Sequence, residues 1–395
     1  MTTLDMLAGP AAPIARRRVA LLSLLVACLA PAACAAETRA SSDQPCSASI
    51  LVEADSGRII SENDAHTPLP PASMVKIMVA YVALKKVKAG VVSLDDVVTT
   101  SAFASRVGGS QVYLKEKEQF TMREMLEAIL VQSANDAAVA VSEHIGGTQA
   151  GFVELMNSEA RALGLQETEF NSAHGLPPGK GQKGDKVSAH DMAVIARALI
   201  TEFPEVLETT GKLEAPFRNG AFIMRNHNKL LGSYANCDGL KTGYIAQAGF
   251  CVTATAKRND FRLIAVVMGC KERKRRDAET ARLLSLGFAS YKAVKVADVG
   301  SPSGQAVPVV DGTLRTVVPV AQKPFSVVVK LGDEQRIVKK VTACRHLYAP
   351  VEKGTPCGDM IFMVDGKEAG RVELVVPENI PPLGFGRRLL RKIGL

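Results

Sequence analysis

The chain has 395 residues, of which 47% are hydrophobic and 22% are charged, and its formal net charge is +8 at pH 7. This length predicts two or three domains, and this composition excludes a wholly disordered chain. One apolar stretch is long enough to consider as a membrane segment, and it is N-terminal, which excludes a polytopic membrane protein. The basic charge favours an anionic surface or polymer as a partner. Nucleic acid is not the predicted partner, because Trp is absent and basic residues are not interleaved with aromatic ones.

Residues 1–36 have the features of a secretory signal peptide. Three arginines at 16–18 precede an apolar run over 19–36 that ends in small residues. A membrane anchor is the alternative, since the run reaches the minimum span of about 17 residues, but its Ala-rich end favours cleavage. Two cleavage sites stay open: one leaves a lipidated Cys28, and the other lies near residues 35–36. We therefore expect an exported, periplasmic protein.

Eight cysteines are present, and two of them lie in the leader. The remaining six allow many pairings in an oxidising compartment, so spacing alone does not assign them. Cys344 and Cys357 flank a Pro/Gly-rich turn and are the best candidate pair. No CxxC or HxxxH spacing occurs, so the sequence predicts no structural zinc site and no other metal site.

The first predicted element after the leader is a hairpin over residues 47–64, with its turn at Asp55–Gly57. A strongly apolar helix follows over 72–86, with prolines just before it, where a first turn tolerates them. Thr121 and Glu124 form a capping-box pattern ahead of the next helical segment. Further helices are predicted at 125–132, 136–146, 151–163 and 188–201.

The pattern then changes to strands and back to a helix. Apolar runs at 239–244, 249–256 and 261–269 predict three antiparallel strands, and 277–294 predicts a helix. Strands at both ends of a helical middle indicate one α/β or α+β layered domain over residues 45–294. 

The sequence pattern changes again near residue 297. Short apolar strands separated by glycine turns predict a small all-β domain over 297–383. Residues 384–395 remain as a basic amphipathic tail.

Ser73 and Lys76 are three residues apart in the predicted helix over 72–86, so their side chains share one face. An apolar helix start partly removes the lysine amine from water, which lowers its pKa and allows it to act as a base. Ser73 at the helix start lies beside backbone N–H groups that have no intrahelical partner. An SxxK pair alone is weak evidence, since both residue types are common.

Two further motifs contain residue types that can bind a peptide. Ser133 and Asn135 lie at a predicted helix break, where a hydroxyl can relay protons and an amide can hold a peptide group. Lys241, Thr242 and Gly243 lie in a predicted strand and offer a positive charge, a hydroxyl and close backbone approach. Taken separately, the first motif is more simply a helix cap and the second an ordinary exposed strand.

SxxK, SxN and KTG in this order are the signature set of penicillin-binding proteins and class A β-lactamases. From about residue 45 to 383 the chain resembles the low-molecular-mass penicillin-binding proteins that are serine-type D-alanyl-D-alanine carboxypeptidases. PASMVKIM around Ser73, NSAHGL at 171–176, DGLKTGY at 238–244 and LYAPVEKGTPCG at 347–358 carry this resemblance. It implies a β-lactamase-like, penicillin-recognising serine hydrolase domain, with an antiparallel sheet and a helical subdomain, followed by a small all-β domain.

The resemblance also implies a role for each catalytic residue. Ser73 is the acylated nucleophile, and Lys76 is its base. Ser133 relays protons with Lys76 and helps deacylation, and Asn135 holds the peptide group of the substrate. The oxyanion hole consists of the backbone N–H groups of Ser73 and Tyr244.

The terminal carboxylate of the substrate is implied to face Lys241 and Thr242, beside Gly243. Tyr244 stands where the family motif commonly has a histidine, so the role of its side chain stays open. Arg276 is the best match for the arginine that binds this carboxylate. It lies in a run of basic residues, and a shift of register would replace it by one of its neighbours, Arg273 or Arg275.

The implied activity removes the terminal D-alanine from peptidoglycan stem pentapeptides, without a cofactor, and β-lactams are the implied covalent inhibitors. A class A β-lactamase is one alternative, since Glu167-Thr168-Glu169-Phe170-Asn171 fits its E-x-x-[LF]-N pattern. The following SAHGL, the SAN motif and the extra β-domain argue against it. A catalytically silent peptidoglycan-binding protein is another alternative, but the complete motif set argues against the loss of activity.

The tail, residues 385–395, is too short to span a bilayer, which takes about 20 residues in a helix. Its apolar and basic residues alternate near helical spacing, so it can lie in the membrane interface. We expect it to hold the enzyme on the outer face of the cytoplasmic membrane. A frayed terminus without a function is the alternative.

Overall fold

The computed structural model describes residues 46–384, so the predicted leader and the predicted tail lie outside the described residues. Its α-helices are α1 (Val75–Lys88), α2 (Met122–Glu127), α3 (Asn135–Gly146), α4 (Gln149–Ala162), α5 (Ala189–Glu202), α6 (Val206–Thr210), α7 (Leu230–Ser233) and α8 (Arg273–Ser290). Within this range, no helix combines the length and the apolar character that crossing a membrane requires.

The strands of the first part of the chain are β1 (Ala48–Glu53), β2 (Ile59–Asn63), β3 (Val97–Thr99), β4 (Gln119–Thr121), β5 (Glu214–Phe217), β6 (Phe222–Arg225), β7 (Cys237–Ile245), β8 (Gly249–Arg258) and β9 (Phe261–Cys270). Those of the last part are β10 (Tyr291–Ala297), β11 (Val307–Val310), β12 (Thr316–Val317), β13 (Val320–Ala321), β14 (Phe325–Lys330), β15 (Ile337–Ala343), β16 (Leu347–Tyr348), β17 (Pro356–Val364) and β18 (Lys367–Val375).

The main sheet has the strand order β2-β1-β9-β8-β7, and every neighbouring pair is antiparallel. Because side chains alternate along a strand, the largely buried strand β9 contributes to two cores. Ile264 and Val266 pack into the core that contains α1 and α5, whereas Leu263 and Ala265 pack into the core that contains α8. The sheet is thus a layer between helices, and β7 is its edge strand.

The structure confirms most of the predicted elements of the first domain. The hairpin is β1 and β2, and Thr121 caps α2 through the predicted box with Glu124. Residues 128–132 differ from the prediction: they were expected to continue an α-helix, but they form a turn of π-helix. 

The predicted helix over 277–294 is wrong at both ends. It begins at Arg273 and ends at Ser290, and Tyr291–Val294 belong to β10, which pairs with β14. Residues 291–294 form a strand instead of extending the helix because they pair with β14. This pairing satisfies their backbone hydrogen-bonding groups and packs Val294 against the core of the β-domain.

After α8, the regular elements in the described part of the chain are β-strands and one short 3-10 helix, as predicted. The sheets are β10-β14, β12-β11-β16 and β13-β18-β17-β15, and two apolar cores lie between them.

The predicted disulfide between Cys344 and Cys357 is present. A second disulfide, which the spacing did not indicate, joins Cys46 to Cys270 across 224 residues. It links the chain just before β1 to the end of β9, so it lies at one end of two paired central strands. Cys237 and Cys251 are free thiols.

Candidate active site

Ser73 lies in a 3-10 turn, Ala72–Met74, that leads directly into α1. The turn packs closely against two other backbones. A Cβ added to Gly175 would lie 2.1 Å from the carbonyl oxygen of Ala72, and one added to Gly243 would lie 3.2 Å from the Ser73 nitrogen. Glycine therefore allows the 171–176 loop and strand β7 to approach the candidate nucleophile from two sides.

Lys76 is fully buried, one turn of α1 after Ser73. Its Nζ donates to Ser73 Oγ at 3.0 Å, to Asn135 Oδ1 at 2.7 Å and to the His174 carbonyl at 2.8 Å. Burial, and then repulsion by Lys241, lowers the pKa of this amine well below its ordinary value. An amine that readily loses its proton, within reach of a serine hydroxyl, can serve as a general base toward that hydroxyl.

The helix break after α2 holds Ser133 and Asn135 in place. Ser133 ends the π-helical turn in a left-handed conformation (φ 63°, ψ 30°) and is buried. This turn of direction places Asn135 at the start of α3, where its Nδ2 donates to the Gly108 carbonyl at 2.7 Å. Both ends of the Asn135 amide are therefore engaged, and its oxygen orients the Lys76 amine.

The KTG motif lies in the edge strand β7, beside the turn that carries Ser73. Lys241 and Thr242 are buried, and Lys241 Nζ donates to the Thr242 carbonyl at 3.0 Å. Burial, followed by the nearby charge of Arg276, lowers the pKa of Lys241 to about 7. Tyr244 differs from them: its side chain is 56% exposed and stacks on Phe250.

Arg276 is the buried member of the basic run that begins α8, with 3% exposure, whereas Arg273 and Arg275 are exposed. Its guanidinium donates to Asp277 Oδ1 at 2.9 and 2.6 Å. Its charge contributes to the lowered pKa of Lys241, as expected for two cationic side chains that lie near each other. Burial thus favours Arg276 over its neighbours for the predicted role of binding the substrate carboxylate.

His174 and Asp185 also belong to the surroundings of Lys76, although no sequence motif indicated a role for them. The His174 carbonyl accepts from Lys76, and burial together with the Lys76 charge lowers the pKa of its imidazole to about 4. Asp185 accepts from the backbone of Asn171 and Ser172, and burial raises its pKa. Asp185 thereby holds the start of the NSAHGL segment. The NSAHGL segment was recognisable in the sequence. Its contact with Lys76 was not, because the acceptor is a backbone carbonyl, which every residue type has.

Glu167, which the β-lactamase alternative would make the deacylating base, has other partners. His66 Nδ1 lies 3.0 Å from its Oε1, and Ser188 Oγ donates to its Oε2 at 2.8 Å. The hydrogen-bond partners of the Lys76 amine are Ser73, Asn135 and the His174 carbonyl, and Glu167 is not among them.

Residues 35–272 match the family model described as D-alanyl-D-alanine carboxypeptidase, and residues 291–382 match the C-terminal domain of penicillin-binding protein 5. Among curated relatives, the chain is 33% identical over 349 residues to D-alanyl-D-alanine carboxypeptidase DacF of Bacillus subtilis, covering 87% of this chain and 88% of that protein. It is 34% identical over 350 residues to DacC of Escherichia coli, covering 86% of this chain and 85% of that one.

Solved structures agree with these relatives. Penicillin-binding protein 5 of Haemophilus influenzae is similar with a TM-score of 0.73 and 30% identity, over 85% of this chain and 98% of that one. Penicillin-binding protein D2 of Listeria monocytogenes in its ampicillin-bound form has a TM-score of 0.57 and 32% identity, over 62% of this chain and 97% of that one. The chain therefore belongs to the D-alanyl-D-alanine carboxypeptidase family of penicillin-binding proteins, and it is a serine-type D-alanyl-D-alanine carboxypeptidase.

Proposed function

We propose that the enzyme removes the terminal D-alanine from peptidoglycan stem pentapeptides through an acyl-enzyme on Ser73. The observation that carries this proposal is the contact of 3.0 Å between Ser73 Oγ and the buried amine of Lys76. Lys76 accepts the hydroxyl proton while Ser73 Oγ bonds to the carbonyl carbon of the penultimate residue. The proton then passes to the leaving nitrogen, with Ser133 as the relay, and D-alanine departs. Water completes the cycle by attacking the ester.

The remaining site residues bind the substrate in this proposal. The backbone N–H groups of Ser73 and Tyr244 stabilise the oxyanion, and the approach of β7 to the turn supports this pairing. Lys241, Thr242 and Arg276 bind the terminal carboxylate. Asn135 positions Lys76 and reaches the substrate amide only if it exchanges one of its present hydrogen bonds.

β-Lactams would acylate the same serine, since their amide carbonyl and carboxylate resemble the scissile peptide and its terminus. The Listeria relative has been solved with ampicillin bound, and this likeness supports covalent binding of penicillin here. We also propose that the protein is exported to the periplasm and associates with the outer face of the cytoplasmic membrane through residues 385–395. This localisation rests on the sequence features of the leader and the tail.

The test is Ser73→Ala, measured by labelling with a fluorescent penicillin and by release of D-alanine from diacetyl-lysyl-D-alanyl-D-alanine. We expect both signals to fall to background, because no nucleophile remains. Ser61→Ala, in strand β2, is the matched control and should retain both. D-alanine release by Ser73→Ala would disprove the assignment of the nucleophile. Rapid turnover of the label in the unaltered enzyme would instead indicate a β-lactamase.

A further inference from the structure

Outside the active site, His66, Glu167 and His190 lie together on the surface of the catalytic domain. One ring nitrogen of each histidine and one oxygen of the carboxylate are within 4.8 Å of one another. The closest approach, between His66 Nδ1 and Glu167 Oε1, is 3.0 Å, and the two imidazole rings are stacked with centroids 4.6 Å apart. Two imidazoles and one carboxylate form a common ligand set for zinc.

The residues behind this cluster orient two of its three members. Asp191 is buried, and its Oδ1 lies 3.2 Å from His190 Nδ1. A proton held on Nδ1 by this carboxylate leaves Nε2 of His190 with a free electron pair, which is the arrangement that prepares histidine for a metal. Ser188 Oγ donates to Glu167 Oε2 at 2.8 Å, and His66 Nδ1 lies 3.0 Å from Oε1 and 3.2 Å from Oε2, so the carboxylate is held facing His66.

The cluster is also open to an ion from solvent. The side chains of His66, Glu167 and His190 are 57%, 27% and 33% exposed. Exposure leaves room for water as a further ligand, and partial burial of Glu167 and His190 keeps these two side chains ordered. 

We propose that His66, Glu167 and His190 bind one zinc ion, with water completing its coordination. The sequence gives no metal-ligand spacing because the three ligands come from three segments of the chain, and His66 and Glu167 alone are 101 residues apart. A salt bridge between an exposed histidine and a glutamate, without a metal, is the competing explanation.

The three segments that supply the ligands are already joined to one another and continue into the active site. Leu69 and Val187 exchange backbone hydrogen bonds of 3.0 Å, and the His190 N–H donates to the Ala65 carbonyl. The first segment leads into the turn that carries Ser73. The segment after Glu167 leads to the loop whose carbonyl accepts from Lys76. Zinc would therefore cross-link the segments that hold both sides of the active site.

The experiment is a calorimetric titration of the untagged full chain with Zn²⁺, repeated for His66→Ala and His190→Ala. We expect one Zn²⁺ per chain for the unaltered protein and binding weakened about tenfold or more in each variant, since loss of a ligand costs at least as much as loss of its orienting partner. His346→Ala, in the β-domain, is the matched control and should bind as the unaltered protein does. Equal binding by His66→Ala and His190→Ala, or no binding by the unaltered chain, would overturn the proposal.

Two further measurements separate this site from other causes. Glu167→Gln keeps the shape of the side chain but lowers its affinity for a cation, so it should also weaken Zn²⁺ binding. Thermal denaturation should show a zinc-dependent rise in Tm for the unaltered chain that is absent from both histidine variants. Ser73→Ala should bind Zn²⁺ normally, so the outcome is independent of the proposed catalytic mechanism.

Discussion

Three cationic side chains, Lys76, Lys241 and Arg276, are almost wholly buried within one site. Each amine loses hydration, and each also feels the charge of a neighbour, which is why the pKa of Lys241 falls to about 7 and that of Lys76 lies well below its usual value. An arriving carboxylate relieves this repulsion. The site is therefore electrostatically suited to a substrate that ends in a free carboxylate, and burial favours the neutral form of Lys76.

Substitution of Arg276 tests whether this residue binds the carboxylate of the substrate. An arginine fork on a carboxylate contributes about 1.5–3 kcal/mol, so Arg276→Ala should lower the kcat/KM for the D-alanyl-D-alanine peptide by about 10- to 100-fold. Acylation by a penicillin should fall less, because the strained ring supplies part of the reactivity. The measurement compares D-alanine release with the rate of labelling.

Arg275→Ala is the matched control, since Arg275 is exposed on the same turn of α8. It should leave both rates unchanged, and a thermal melt of each variant checks that the loss of the Arg276–Asp277 contact has not unfolded α8. A silent Arg276→Ala together with a strong effect of Arg273→Ala or Arg275→Ala would contradict the assignment.

The sequence motifs predicted which side chains would lie close together in the site. Ser73, Lys76 and Asn135 are joined by hydrogen bonds, although Ser73 and Asn135 lie on different helical elements. Predictions of this kind require chemistry that depends on residue type, and the roles assigned to these residues stay predictions. Sequence motifs do not indicate a contact that is made by a backbone group, such as the His174 carbonyl. They also do not indicate a disulfide between residues far apart in the chain, such as Cys46 and Cys270.

The active site depends on the contact between the Ala72–Met74 turn and the 171–176 loop. Ala72 has a positive φ of 49°, and Gly175 has one of 76°. The two backbones pack together so tightly that a side chain at residue 175 has no room. This contact fixes the position of Ser73 relative to the loop carbonyl that binds Lys76.

We therefore predict that Gly175→Ala slows acylation by a fluorescent penicillin by about tenfold or more, because the added Cβ would lie 2.1 Å from the Ala72 carbonyl oxygen and must displace the turn. Gly164→Ala is a matched control: Gly164 has the same φ of 76°, but nothing lies within 4 Å of its added Cβ. Both variants carry the backbone strain of about 1 kcal/mol, so both lose some stability. Equal acylation rates in the two variants would show that the contact does not position Ser73.

Element boundaries show where local sequence is sufficient. The capping box at Thr121 and the hairpin of β1 and β2 were predictable because their signals lie within a few residues. The end of α8 was not, because Tyr291–Val294 follow a partner more than thirty residues away, in β14. The π-helical turn at 128–132 likewise follows from the packing of its surroundings.

The membrane attachment that we propose would depend on the tail at 385–395. Its four basic residues attract anionic headgroups at roughly 1 kcal/mol each near the surface, and a helix this short would order only on lipid. We predict that a chain of residues 37–395 pellets with phosphatidylglycerol vesicles at low salt and that one ending at Gly384 does not. Leu383 should stay in the shortened chain, since its N–H donates to the Asp311 carbonyl at 2.7 Å.

Vesicles of phosphatidylcholine provide the control for the lipid, and the 37–395 chain should leave them unbound. The variant with Arg387, Arg388, Arg391 and Lys392 replaced by serine separates charge from apolar burial. Persistent pelleting of the chain that ends at Gly384 would show that another surface binds the membrane.

The strand order of the main sheet has a consequence for how this protein is made. β1 emerges first from the ribosome, yet its partner β9 follows roughly 200 residues later, and the cysteines at their ends are 224 residues apart. Synthesis at about 5–20 residues per second leaves β1 paired only with β2, and without β9, for roughly 10–40 seconds. Throughout this interval the main sheet cannot be completed, because its central strand β9 has not yet been made. For the export that we propose, this delay is favourable, because a chain whose sheet is incomplete can be threaded through a narrow secretion channel, whereas a folded domain would be too wide.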